Sequence, residues 1–373
     1  MRLANVISLG IKELRSLGRD PFMLGLIFYS FTIAIYSSAT AVPETLNNAP
    51  IAIVDEDHSP LSERISGAFY PPTFSRPVFI TLGEMDARMD AGRDTFALVI
   101  PTGFQRDMLA GRGASIQLNV DATRVAQAFT GSGYIQSVVR DEVARFLARQ
   151  ATAPPNPAEL VLRVRFNPQL SKAWFGSVME LINQVTMLSI ILTGAALIRE
   201  REHGTIEHLL VMPITPVEII AAKIWSMGLV VLIACILALL GVVEGVLAVP
   251  IHGSIPLFLI GVALHLFATT SMGIVLGTVA RSMPQLGLLF VLVLLPMQML
   301  SGGTTPRENM PDLIQTIMLA APTTHFIALA QAILFRGAGW ATVWPQMTAL
   351  ASIGTLLFGY AALRFRRSIS GKV

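Results

Sequence analysis

Six apolar segments, at about 22–42, 174–198, 224–249, 256–280, 285–300 and 345–364, decide most of what this chain can become. A helix that crosses a bilayer needs roughly 20 mostly apolar residues. In hydrocarbon every backbone N–H and C=O must find its partner inside the protein, which restricts such segments to helices. The composition fits: 53% of the 373 residues are hydrophobic and only 14% are charged, against about 25% charged in soluble domains. The expected fold class is an α-helical polytopic membrane protein of six transmembrane helices with one inserted extracytoplasmic α/β domain.

Basic residues orient the spans, because they collect on the cytoplasmic side. With both termini inside, the cytoplasmic pieces hold twelve Lys and Arg against six Asp and Glu, while the remainder is net acidic. Counting 313–335 as a seventh span would put the two ends on opposite sides. "SSATAVP" near residue 40 has the look of a signal cleavage site, yet about twenty structured-looking residues with acidic Glu13 and Asp20 come first. A cleaved signal has a short basic start, so the first span is expected to stay. The resulting division is 1–21, an interfacial cytoplasmic helix; 22–42, the first span; 43–173, an extracytoplasmic domain; 174–364, spans two to six; and 365–373, a basic cytoplasmic tail.

Within 43–173, "PIAIVDED", "RPVFITL", "TFALVIP", "SIQLNVDA" and "LVLRVRFNP" read as strands, separated by helical stretches and Gly or Pro stops. A small mixed sheet with helices on one face follows. Asp55, Glu56, Asp57 and His58 form an acidic cluster read as a solvated strand-to-helix turn. Neither G-x-S-x-G nor H-E-x-x-H occurs, so enzymatic chemistry has little support. No lysine stands in a G-x-x-x-x-G-K-[ST] loop. The single cysteine, Cys235, lies in an apolar run and excludes an intrachain disulfide.

Between spans two and three lies "REREHGTIEHLLVMPITP", residues 199–216. Thr205 can cap a short helix from Ile206 to about Val211, with Glu207 in its first turn and Ile206, Leu209 and Leu210 on one face. Pro213 and Pro216 end it. The N-terminal stretch 3–19 places Leu3, Val6, Ile7, Ile11, Leu14 and Leu17 at helical spacing opposite Lys12, Arg15 and Arg19, the pattern of a helix lying on the inner leaflet.

"REREHGTIEHLLVMPITPVEIIAAKIW" resembles the signature of ABC-2-type export permeases, the membrane halves of ATP-binding-cassette exporters. "MLSGGTTPRENMPDLIQTIMLAAPTTHFIALAQAILFRG" is similar to the end of the same family. "IAIVDEDHSPLSERI" and "RVRFNPQLSKAWF" resemble its branch with a large extracytoplasmic domain. The resemblance covers essentially the whole chain. It implies a bacterial inner-membrane permease subunit that moves hydrophobic or amphipathic compounds, drug-like or lipid-like, outward, and is not itself an enzyme. It implies a separate cytoplasmic ATPase that binds ATP and Mg, no cofactor on this chain, a second permease subunit (identical or paralogous), membrane lipid around the spans, and a periplasmic membrane-fusion adaptor. No nucleic-acid partner is expected. By position, Glu200, Glu202, Gly204, Thr205, Glu207, Leu209 and Leu210 would belong to an ATPase-coupling helix at 199–218, and 301–335 would be a pair of re-entrant helices. The competing reading is a membrane receptor or scaffold whose outer domain senses a ligand.

Polar groups inside spans are costly and often functional. Glu180, Asn183, Gln184 and Met187 share one face of span two, and His265 lies within span four. These five are the candidates for lining a pathway.

Overall fold

The computed structural model describes residues 2–40, 48–121, 125–150, 172–202, 214–303, 307 and 310–370. The chain divides into two compact units, one of Met1–Val42 with Val164–Val373 and one of Pro43–Arg163.

The first unit is helical. Helix α1 runs Leu3–Gly18 and α2 spans Pro21–Thr40. Asp20 separates them: its carboxylate accepts from the Met23 amide, capping α2, and Pro21 occupies the first helical position, where a missing N–H costs nothing. Among the described residues, six helices are long and apolar enough to cross a membrane: α2, α7 (Lys172–Glu202), α8 (Pro216–Val246), α9 (Ile255–Val279), α10 (Met283–Leu300) and α13 (Trp340–Ser370). Between the last two lie α11 (Asp312–Met318) and α12 (Pro322–Phe335), bent by 87° at their break, the geometry of a broken span or a re-entrant loop. Ser301, at the end of α10, meets Thr323 at the start of α12, hydroxyl to hydroxyl at 2.6 Å.

Helix α9 is the axis of the bundle, packing against α7, α8, α12 and α13. Its contact with α7 is close because small residues face each other, the usual device in lipid, where helices gain nothing from burying apolar surface. A Cβ on Gly273 would stand 2.6 Å from the Ile190 carbonyl oxygen. Ser189 Oγ donates to Thr269 Oγ1 at 2.7 Å along the same seam.

The second unit is α/β. Strands β1 (Ile51–Asp55), β2 (Val78–Phe79), β3 (Phe96–Ile100) and β4 (Gln117–Val120) form one sheet in the order β2-β1-β3-β4, parallel except for the antiparallel pair β3-β4. Its helices are α3 (Pro60–Gly67), α4 (Leu82–Asp90), α5 (Phe104–Leu109) and α6 (Val125–Gln150). Helices sit on both faces rather than on one as the sequence suggested. Ile51, Ile53, Phe96 and Leu98 meet α3, α5 and α6, while Ala52, Val54, Ala97 and Val99 meet Met85 of α4. The unbroken apolar runs of β1 and β3 are the signature of strands covered twice. Asp55 and Asp57 are consumed locally: Asp55 accepts from the Asp57 and His58 amides and the Ser62 hydroxyl, and Asp57 from the Gln105 amide. The expected strand at 160–168 lies outside the described residues.

Candidate functional site: a charged junction at the root of the bundle

The last turn of α7 carries four consecutive charges, Arg199, Glu200, Arg201 and Glu202, and each engages a different part of the unit. Arg199 Nη1 lies 3.3 Å from Asp20 Oδ2, at the joint of α1 and α2. Arg201 Nη1 donates to the Gly277 and Ala280 carbonyls at 3.1 and 3.2 Å, at the C-terminal end of α9, where a cation suits the negative end of the helix dipole. Glu202 accepts from the Met283 amide at 3.1 Å, at the start of α10, where the dipole favours an anion.

Glu200 turns inward, to the most buried charge among the described residues. Lys223 of α8 has a side chain only 1% exposed, with Nζ 3.0 Å from Glu13 Oε1 and 2.9 Å from Glu200 Oε2. It also donates to the Ala196 carbonyl at 3.3 Å. Lys12 Nζ reaches Glu200 Oε1 at 3.3 Å from the outside. Three helices, α1, α7 and α8, therefore share one knot of two cations and two anions. Burial pushes the Glu13 carboxyl above its ordinary pKa; Lys223 opposes this, and the neighbouring Glu200 carboxylate adds to it. Beside the knot a cavity of about 230 Å³ opens between the same helices, edged by Ser16, Arg199 and Met227.

Two further contacts hold α1 against α8. Thr215 caps α8 in a reciprocal pair with Glu218, and the Glu218 carboxylate also accepts from the Arg2 amide and, at 3.4 Å, from Asn5. Trp225 Nε1 donates to the Val6 carbonyl at 3.1 Å, and its ring lies flat in the space left by Gly10, where a Cβ would overlap it. The face of α1 turned to the bundle is thus Val6, Gly10, Glu13 and Leu17, while Leu3, Ile7 and Ile11 stay exposed.

Of the residues singled out from sequence, Glu200 and Glu202 stand in this junction, Glu200 facing in and Glu202 exposed. Gly204, Thr205, Glu207, Leu209 and Leu210 lie outside the described residues. Sequence reasoning missed Lys223, counted only as an inner-side charge. A lysine inside "IIAAKIWSM" already demanded a buried counter-ion.

The pathway candidates split. Glu180, Asn183, Gln184 and Met187 do share a face of α7, Gln184 Nε2 donating to Glu180 Oε1 at 2.6 Å. Gln184 is buried, and its Oε1 has no partner among the described residues. His265 meets α7 at Thr186 and not at any of these four residues. It is fully buried on α9, with Nε2 2.8 Å from Thr186 Oγ1 and its ring stacked on Phe326 at 4.1 Å.

A family model described as ABC-2 family transporter protein matches residues 22–363. The chain is 64% identical to "Inner membrane transport permease YhhJ" of Escherichia coli K12, over 98% of each chain. It is 27% identical to "Probable multidrug ABC transporter permease YbhR" of the same organism, over 96% of this chain and 97% of the relative. Another K12 relative, "Probable multidrug ABC transporter permease YbhS", is 25% identical over 98% and 97%. Together with six helices fit to cross a bilayer, these matches make the chain a multi-pass membrane protein of the ABC-2 family of transporter permeases.

Proposed function

We propose that this permease exports hydrophobic or amphipathic compounds across the bacterial inner membrane, working as a dimer with itself or a paralogue. A separate cytoplasmic ATPase drives it, acting on the connection at 199–218 between α7 and α8. Both termini face the cytoplasm, the α/β unit lies outside, and an adaptor protein can meet it there. The names of the more distant relatives support the cargo class.

The observation that carries this reading is the junction at residues 199–202. The residues on either side of 203–213 are tied to several elements: α2, α9 and α10 through Arg199, Arg201 and Glu202, and α1 through Glu200, Lys223 and Glu218. Ion pairs withdrawn from water are far less screened than surface pairs. A force on the loop therefore displaces the helices as a connected set instead of dissipating in one of them. Coupling then requires only that each nucleotide state of the ATPase favour one arrangement of that set.

On this reading Glu180, Asn183, Gln184 and Met187 line the route, since Gln184 keeps a buried amide oxygen unsatisfied among the described residues. His265 braces α9 against α7. The test is reconstitution with the ATPase in proteoliposomes. Replacing Gly204 and Glu207 together with bulky, uncharged residues is expected to leave basal ATP hydrolysis intact and abolish its stimulation by cargo. Unchanged export in that double variant would remove the loop from the mechanism.

A further inference from the structure

Among its described residues, the α/β unit has a cavity that no side chain fills. It measures about 450 Å³ and lies between the sheet, α5 and α6, within the ~300–1,000 Å³ common for small-molecule sites. One wall is a ridge of α6, Ile135, Val139, Val143 and Leu147, spaced four residues apart so that all face one way. At the N-terminal end of α6 the packing is tight: Gly131 lies directly on the Phe96 ring, where a Cβ would overlap it, and Ile135 is buried. Further along, Val139, Val143 and Leu147 stay only half-buried. Leu98, Leu118 and Phe104 face them across the gap. Leaving such apolar surface open forgoes burial that a bound apolar chain recovers.

The polar members of the lining are few and of one sign. Arg140 and Gln136 stand on the exposed side of α6 at the rim. Among the described residues no carboxylate lines the cavity. Arg140 makes no ion pair among the described residues, whereas Arg64 and Arg145 are both taken up by Glu142, which faces a different cleft. An apolar slot with one unpaired guanidinium at its mouth matches one chemistry: a hydrocarbon chain ending in an anion, which Arg can grip through two parallel hydrogen bonds.

We propose that this cavity binds a single-chain anionic amphiphile, a fatty acid being its simplest form, with the chain along the α6 ridge and the carboxylate at Arg140. The site is distinct from the helical bundle and needs neither ATP nor transport, so its failure would leave the permease reading standing.

The test uses the full chain in lipid nanodiscs with a fatty acid carrying a diazirine on its chain. After irradiation and digestion, adducts are mapped by mass spectrometry. Adducts are expected on peptides covering 98–118 and 135–147, as well as on the lipid-bathed spans, which serve as an internal control. Arg140→Glu is expected to lower labelling of those two peptides about tenfold without changing the spans, and to raise it for an alkylamine probe of equal length. Ala144→Trp, at an exposed position on the rim, should abolish labelling of the two peptides for both probes. Labelling confined to the spans, or unaffected by either variant, would overturn the proposal. So would spontaneous disulfide formation between two chains carrying Ala144→Cys together with loss of labelling, which would assign the cavity to a second copy.

Discussion

Lys223 sits in a position that a lone lysine could not tolerate. Removing one partner from a buried pair typically costs about 3–5 kcal/mol, because the other charge is left without compensation. Lys223→Ala should therefore destabilise the protein by about that amount, since it would leave Glu13 and Glu200 facing each other. The two acids are not equivalent. Among the described residues Glu200 has two cations, Lys223 and Lys12, and Glu13 has one, Lys223, and burial already raises the proton affinity of Glu13. Glu200→Gln should lower thermal stability and cargo-stimulated ATPase activity more than Glu13→Gln does. Equal losses, measured on the reconstituted complex, would contradict this ordering. The sequence showed the need for such a partner but not its identity, because Glu13 and Lys223 are 210 residues apart. Helical periodicity speaks only for residues within a few turns of each other.

Among the elements, α1 shows how far a periodic pattern can be read. Its apolar spacing was plain. What the pattern hid was a second, narrower stripe of Val6, Gly10, Glu13 and Leu17, which is the one that packs. Gly10 looked like a weak point in a helix, yet it is the seat of Trp225. Gly10→Leu should lift α1 from α8: amide exchange in residues 3–18 should quicken severalfold while α9 stays protected. In the α/β unit, the strands and helices of the described part follow the sequence pattern closely, and what it left open was which face each helix covers. There, Glu142 of α6 is held below the ordinary carboxylate range, first by its hydrogen bond to Arg64, then, against a small desolvation cost, by the charges of Arg64 and Arg145. A depressed carboxylate stabilises above its unfolded pKa, about 4.3, and that contribution is lost as pH falls through the lower folded value. The clamp between α3 and α6 should therefore hold at neutral pH and loosen below about pH 4, which hydrogen exchange across Pro60–Gly67 would register.

At the scale of the whole molecule, the six membrane helices were legible because bilayer thickness imposes a length that few other structures share. Their packing order was not, since α9 earns its central place through glycines and hydroxyls that carry no hydropathy signal. The orientation read from the basic residues makes a direct prediction. Cys235 is buried and should stay silent to water-soluble thiol reagents, so single introduced cysteines report cleanly. Gly204→Cys should react only in inside-out vesicles and Ser137→Cys, on exposed α6 surface, only in spheroplasts. The reverse pattern would invert the topology and with it the direction of drive.

The charged quartet 199–202 bears on which changes such a chain can survive. Replacing one of these side chains disturbs one set of contacts, since each answers to a separate neighbour. A change in helix length is not confined in this way. One residue inserted after Ile198 would swing all four by about 100° and misassign every partner in a single step. At this joint, counting from Lys172 matters more than spelling: descendants of this sequence can drift in letters here, but not in number.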